Sequence, residues 1–164
     1  MNEILGRYNT KLITCHIGNG ASISAVKEGR CVDTSMGLTP NAGLIMGTRC
    51  GDIDATIVPY MMDKLKINSK KMDDILNKKS GLLGISGESS DSRDIEDGIN
   101  RGNERCILAQ KMYVRRIIDY IAKYYVELGG CDAIVFTAGV GENSIHTRHE
   151  VLDCLLYTST SPRD

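Results

Sequence analysis

Hydrophobic and polar residues alternate from Lys11 to Ile17, the period of a half-buried strand, and the chain then turns at Gly18-Asn19-Gly20. From Ala21 to Val26 the alternation resumes, with Ile23 and Ala25 on one face and Ser22 and Ser24 on the other. Lys27 to Arg30 reads as a hairpin turn around Glu28-Gly29, and Cys31 to Thr34 as the returning strand. Together these segments predict an antiparallel meander whose first turn begins two residues after a histidine, His16.

The period then changes. A glycine-punctuated loop spans Ser35 to Gly51. Asp54 is placed to cap a helix running to about Lys66, with Pro59 forcing that helix either to start late or to kink. Met72 to Lys79 reads as a short helix, Gly81 to Gly87 as a loop, and Asp91 to Ile99 as a weakly helical piece. The strongest pattern runs from 103 to 128. There Ile107, Val114, Ile118, Ile121, Tyr125 and Leu128 form one stripe, and Arg116, Asp119, Lys123 and Glu127 the opposite face. Asp119 and Lys123 are spaced to pair, and Gly129-Gly130 supplies a left-handed end. The apolar run Ala133 to Thr137 predicts a strand buried on both faces, followed by a glycine loop at 139–143 and a helix resuming near Arg148. Meander, helix, strand, glycine loop and helix make an α/β arrangement, with the loop at the carboxyl end of its strand, where such sheets bind ligands.

Composition narrows the classes. The chain has 164 residues, 41% hydrophobic and 25% charged, so disordered and low-complexity readings are excluded. Net charge is −1 and there is no tryptophan and one phenylalanine, which argues against nucleic acid and anionic membranes as partners. Nothing approaches the roughly 20 apolar residues of a membrane span. The six cysteines form no C-x-x-C pair, which speaks against zinc and for buried or half-buried reduced thiols in a cytoplasmic protein. The 17 glycines cluster, with seven between Gly18 and Gly51, five between Gly81 and Gly102, and four between Gly129 and Gly141.

Two of these clusters suggest chemistry. His16-Ile17-Gly18-Asn19-Gly20 and Gly139-Val140-Gly141-Glu142-Asn143 each follow a predicted strand. Glycines there let the backbone approach a ligand and present N–H donors to phosphate oxygens. Taken singly, each segment reads as an ordinary tight turn, and the two together tilt the reading toward nucleotide binding; neither matches a P-loop or a full dinucleotide fingerprint. Arg49 lies between Gly47 and Gly51 with Asp52 and Asp54 behind it. It suits charge stabilisation on a transferring phosphoryl group, or a structural ion pair with one of those carboxylates. His16 also reads as a strand-end histidine, and Asp91-Ser92-Arg93 as a helix cap with its neighbours. His146 and His149 read as surface residues, and no metal ligand set emerges.

Five segments in order resemble the acetate kinase family. They are Ile13 to Ser22, Val32 to Gly37, Gly47 to Asp54, Ser86-Gly87 with Asp91 to Arg93, and Phe136 to Asn143. The resemblance covers about residues 4–154. It implies a ribonuclease-H-like α/β fold of the actin and sugar-kinase type, in which two domains close on ATP, with reversible phosphoryl transfer from ATP to acetate, assisted by Mg²⁺. It implies that Arg49 is the transition-state arginine and that His16, Ile17, Gly18, Asn19 and Gly20 contact the nucleotide phosphates. Asp91, Ser92 and Arg93 match an adenosine-contacting segment, and Gly139, Val140, Gly141, Glu142 and Asn143 a second nucleotide loop. By the same resemblance, residues 1–154 correspond to most of a second domain, inactive alone and lacking most metal ligands. Residues 155–164 are expected to be a disordered tail unlike the family. Ala55 stands where the family usually has proline. The resemblance also suggests a homodimer, and leaves propionate or butyrate kinase, or a non-catalytic nucleotide-binding module, as alternatives.

Overall fold

A computed structural model describes residues 2–159. The chain divides into two compact units, one formed by residues 1–35 with 114–164, the other by residues 36–113.

The first unit begins with a short helix, α1 (Asn2–Leu5), and carries the meander β1 (Lys11–Ile17), β2 (Ala21–Lys27) and β3 (Arg30–Thr34). The hairpin between β2 and β3 places Glu28 and Gly29 at φ +53° and +77°, as a two-residue turn of this hand requires. Cross-strand pairs Ile13–Ala25, Cys15–Ile23 and Ile17–Ala21 put six buried side chains on one face of the sheet. A register shift between Ala25 and Val26 leaves Val32 as the extra residue of β3.

In the second unit are α2 (Ile57–Leu65), α3 (Ser69–Lys78), α4 (Gly81–Ser86) and α5 (Ser92–Asn100). The long helix α6 (Glu104–Leu128) starts there and continues into the first unit. β4 (Ala133–Thr137), α7 (Ala138–Asn143) and α8 (Ile145–Ser159) complete the first unit. β4 pairs in parallel with β1, giving the order β3-β2-β1-β4. Three antiparallel strands with a parallel fourth beside the first make the ribonuclease-H-like α/β class expected from the resemblance.

Several expectations need correction. The helix after Asp54 takes the late start that Pro59 allowed, at Ile57, which puts Pro59 in its first turn, where a missing N–H is harmless, but Asp54 is not its cap. Asp54 instead accepts from the N–H and hydroxyl of Thr56, at 2.9 and 2.7 Å. Residues 81–86 are helical rather than a loop, because neighbouring carbonyls take up the first N–H groups of α4. The buried face of α6 runs through Cys106, Ala109, Tyr113, Val114, Ile117, Ile121, Tyr124 and Leu128. The stripe is rotated from the expected one, and Tyr125 is exposed. The small residues Cys106 and Ala109 carry the helix into its contact, and α5 approaches so closely that a Cβ on Gly98 would lie 2.4 Å from the Cys106 sulfur. Asp119 pairs with Arg115, and Lys123 reaches Asp33 on β3 at 2.7 Å, so the expected Asp119–Lys123 pair is not formed. β4 is half-buried along its length rather than buried on both faces. Cys31 is exposed, unlike the other thiols. Residues 155–159 continue α8 where disorder was expected, and that expectation for 160–164 falls outside the described residues. Among the described residues, no helix is long and apolar enough to cross a membrane.

Gly129 and Gly130 end α6 at φ +63° and +98°, with N–H groups donating to Val126 and Tyr125 carbonyls. Among the described residues, Tyr124 holds one of the least comfortable groups in the core, a buried hydroxyl with no hydrogen-bond partner. Leaving such a group unpaired costs about 1–3 kcal/mol. We therefore expect Tyr124→Phe to raise stability by about 1 kcal/mol. Chemical denaturation that showed a loss of stability instead would mean the hydroxyl is bonded in solution.

Candidate functional site

The first unit brings two of the predicted segments together. Parallel pairing places His16 opposite Thr137, so the carboxyl ends of β1 and β4 coincide. His16 Nδ1 lies 3.2 Å from Thr137 Oγ1, a hydrogen bond across 121 residues of sequence. Beyond it, Gly18-Asn19-Gly20 turns into β2, closed by the Gly18 N–H donating to the Gly20 carbonyl at 3.1 Å. Asn19 is exposed at the tip, and its side chain makes no hydrogen bond among the described residues. Ile17 is buried and anchors the turn to the core.

Gly139 to Asn143, expected as a loop, forms the short helix α7. The strand enters it through Ala138 at φ +66°, a left-handed conformation that costs a residue with a Cβ about 1–2 kcal/mol. Neighbouring bonds hold this strained corner. The Glu142 carboxylate accepts from the Ala138 N–H at 3.0 Å, and the Asn143 amide donates to the Gly139 carbonyl at 2.8 Å. Arg148, not singled out in the sequence, donates to the Gly141 and Glu142 carbonyls at 2.9 and 2.5 Å. Gly141 faces β1, where a Cβ would meet the Cys15 carbonyl and Ile17 at 3.6 Å. Gly139 faces open space, with Val140 half-buried beside it. The two glycine segments are thus adjacent, and a Cβ on Gly18 would touch Ala138 at 3.6 Å.

The second unit holds the other two segments. Arg49 is half-buried, and its guanidinium donates to the Pro40 carbonyl at 3.3 Å and lies 3.6 Å from the Met46 sulfur. Among the described residues no carboxylate pairs with it. Asp52 accepts from the Gly43 N–H at 2.8 Å and returns its own N–H to the Gly43 carbonyl at 3.0 Å, closing the loop behind Arg49. Among the described residues the guanidinium thus contacts Pro40 and Met46, and the structural ion pair with Asp52 or Asp54 is not the arrangement seen. Gly51 sits at φ +70° where a Cβ would lie 2.5 Å from the Leu44 carbonyl, so only glycine fits.

Asp91 caps α5, accepting from the Arg93 N–H at 2.9 Å, while the Arg93 side chain grips the same carboxylate at 3.0 and 2.6 Å. The helix-cap reading is thus realised, and Ser92 is half-buried at the first turn. A serine relay precedes it. The Glu88 and Ser89 N–H groups donate to the Ser86 hydroxyl, and Asp91 N–H to the Ser89 hydroxyl at 3.1 Å. Arg105 closes the carboxyl end of α4 through the Ile85 and Gly84 carbonyls at 2.9 and 3.1 Å. Glu88 is gathered by Cys106, Arg101 and Asn103, which hold its carboxylate below the ordinary range.

The Arg93 guanidinium and N–H hold the Asp91 carboxyl down to about 2. A depressed carboxylate contributes stability above its unfolded value near 4, and that contribution is lost as pH falls toward 2. We expect the Asp91 side-chain carboxyl resonance to titrate at about 2 and the α5 amino end to fray only below about pH 3. A midpoint near 4 would mean the Arg93 clamp does not hold in solution.

Comparison with known proteins places the chain in a family. The acetokinase family model matches residues 1–159. The chain is 54% identical over 143 residues to an acetate kinase of Halothermothrix orenii, a stretch covering 87% of this chain and 36% of that protein. It is 57% identical over 155 residues to an acetate kinase of Pseudothermotoga lettingae, covering 93% and 38%. The crystal structure of Porphyromonas gingivalis acetate kinase superposes with a TM-score of 0.92 at 48% identity, over 95% of this chain and 40% of that one. A propionate kinase from Francisella tularensis superposes at 0.91 with 39% identity, over 96% and 41%. The chain thus spans little more than a third of the length of these curated relatives.

Proposed function

The chain belongs to the acetokinase family, and from that premise we propose that it contributes a nucleotide-phosphate site and a transition-state arginine to ATP-dependent phosphorylation of a short carboxylate. The reaction moves the γ-phosphoryl of ATP to acetate, reversibly, giving acetyl phosphate and ADP. The observation that carries this reading is the convergence of His16–Gly20 and Gly139–Asn143 at the carboxyl ends of two parallel strands. Ligands of open α/β sheets sit at such an edge.

In this reading the backbone of Gly18–Gly20 and the exposed amino end of α7 at Gly139 approach the phosphates closely, which side chains there would prevent. Asn19 reaches the same oxygens. Glu142, Asn143 and Arg148 act through the shape of α7, since their polar groups are spent on its backbone. Asp91, Ser92 and Arg93 present the rigid start of α5 to the nucleoside. Arg49 stabilises charge spread over the phosphoryl group in flight; loose transfer asks for positioning and charge compensation more than covalent chemistry.

Mg²⁺ belongs to this reading as the companion of the nucleotide. Among the described residues no three His, Cys, Asp or Glu gather as a metal site, so no step is assigned to an ion held by this chain. A homodimer and a cytoplasmic setting complete the reading. Propionate is the second acceptor to weigh, because the Francisella tularensis propionate kinase superposes almost as well as the acetate kinase.

The test is Arg49→Ala in a full-length acetate kinase that carries this segment. Arginines of this kind contribute about 10³–10⁵ in turnover, so acyl phosphate formation, trapped with hydroxylamine, should fall by about 10³ or more. ADP affinity should stay within about twofold, as expected for a group that binds the transition state more than the ground state. A rate near that of the parent would make Arg49 a structural residue.

A further inference from the structure

Among the described residues the Arg49 guanidinium makes two weak contacts, to the Pro40 carbonyl and the Met46 sulfur, yet the backbone that carries it is bonded on both sides. The Thr48 hydroxyl donates to the Asn77 carbonyl at 2.8 Å, at the end of α3. Ser80 N–H donates to the Thr48 carbonyl at 2.9 Å, and Leu82 and Leu83 N–H donate to the Met46 and Gly47 carbonyls at 2.9 and 3.0 Å. Cys50 N–H donates to the Leu76 carbonyl at 3.0 Å. Three N–H groups at the head of α4, those of Ser80, Leu82 and Leu83, are therefore taken by carbonyls of the arginine loop, so the two elements satisfy each other there.

Gly81 sits at the centre of this joint. Its φ is +61°, and a Cβ there would lie 2.2 Å from the Met46 carbonyl oxygen, 2.8 Å from that of Arg49 and 3.1 Å from the Arg49 nitrogen. The bare α-carbon is what lets the two segments close. Gly81 thus serves the arginine loop, although in sequence it heads the glycine cluster nearest Asp91.

We propose that the corner between α3 and α4 is the positioning element for Arg49, with Thr48 and Gly81 as its positioning residues. This rests on the reading of Arg49 as the transition-state arginine. The corner fixes the backbone, and the backbone sets the direction in which a lightly held guanidinium points. Displacing a catalytic group by about 1 Å costs on the order of 10²-fold in rate, so losing one anchor should be felt in kcat.

The experiment is a double-mutant cycle in a full-length acetate kinase carrying this segment. Thr48→Val keeps the volume and removes the hydroxyl bond to Asn77. It should lower kcat by about tenfold while KM for ATP and acetate stays within about twofold, the signature of an interaction made in the transition state. Thr48→Ser keeps the hydroxyl and should restore kcat. Combined with Arg49→Ala, Thr48→Val should cost nothing further, because both act through one group. Thr48→Ala, which introduces no new bulk, gives the same readings should Thr48→Val not fold. A parental kcat in Thr48→Val, a Thr48→Ser as slow as Thr48→Val, or losses that multiply in the double variant would overturn the proposal. Arg49→Ala at the parental rate would instead overturn the reading of Arg49 itself, and the corner with it.

Discussion

The parallel pairing of β1 with β4 is the contact on which the proposed phosphate site depends. Two glycine segments 121 residues apart become neighbours only because Leu12 to His16 run alongside Ala133 to Thr137 in register. Asp132 secures the start of that pairing, accepting from the Lys11 N–H at 2.8 Å and donating its own N–H to the Lys11 carbonyl at 2.7 Å. The His16–Thr137 bond secures its end. A slip of one residue would turn Ile13, Cys15 and Ile17 out of the core, so burial and register enforce each other. Ala138 can hold its strained left-handed turn because the strand before it is fixed and Glu142 and Arg148 hold the helix after it.

The second unit solves a related problem differently. Arg49 lies on a loop without a strand to support it, and support comes from the amino end of a short helix whose N–H groups point into the loop. At Gly51 and Gly81 a Cβ would lie less than 3 Å from carbonyl oxygens of the loop's own backbone, so neither position admits a side chain. The glycine excess of the sequence is therefore used in three ways: to turn strands, to end helices, and to let backbone meet backbone around an arginine.

Strands and the long helix were legible in the sequence because alternation and helical period are local. The meander, its hairpin at Glu28-Gly29 and the Gly129-Gly130 helix end follow from residue order alone. The two short helices were not legible. Gly81 to Ser86 and Ala138 to Asn143 are rich in glycine, and what makes them helical is tertiary: loop carbonyls for α4, and Glu142 and Arg148 for α7. The buried face of α6 was misplaced for a similar reason. Tyr125 and Val126 are as apolar as their neighbours but face outward, while Cys106 and Ala109 are small and easily passed over. Site residues were legible as segments rather than as roles. Glu142, Asn143 and Asp91 turn out to spend their polar groups on local backbone, and the partners Thr137, Thr48 and Arg148 carried no local signal.

The central claim is that one phosphate site is built from both strand ends. Titrating the isotope-labelled chain with ADP and following backbone amide resonances tests it most directly. Gly18, Asn19 and Gly20 should shift together with Gly139, Val140 and Gly141, along one binding curve. Shifts confined to one of the two segments, or absent from both while ADP binds elsewhere, would contradict it.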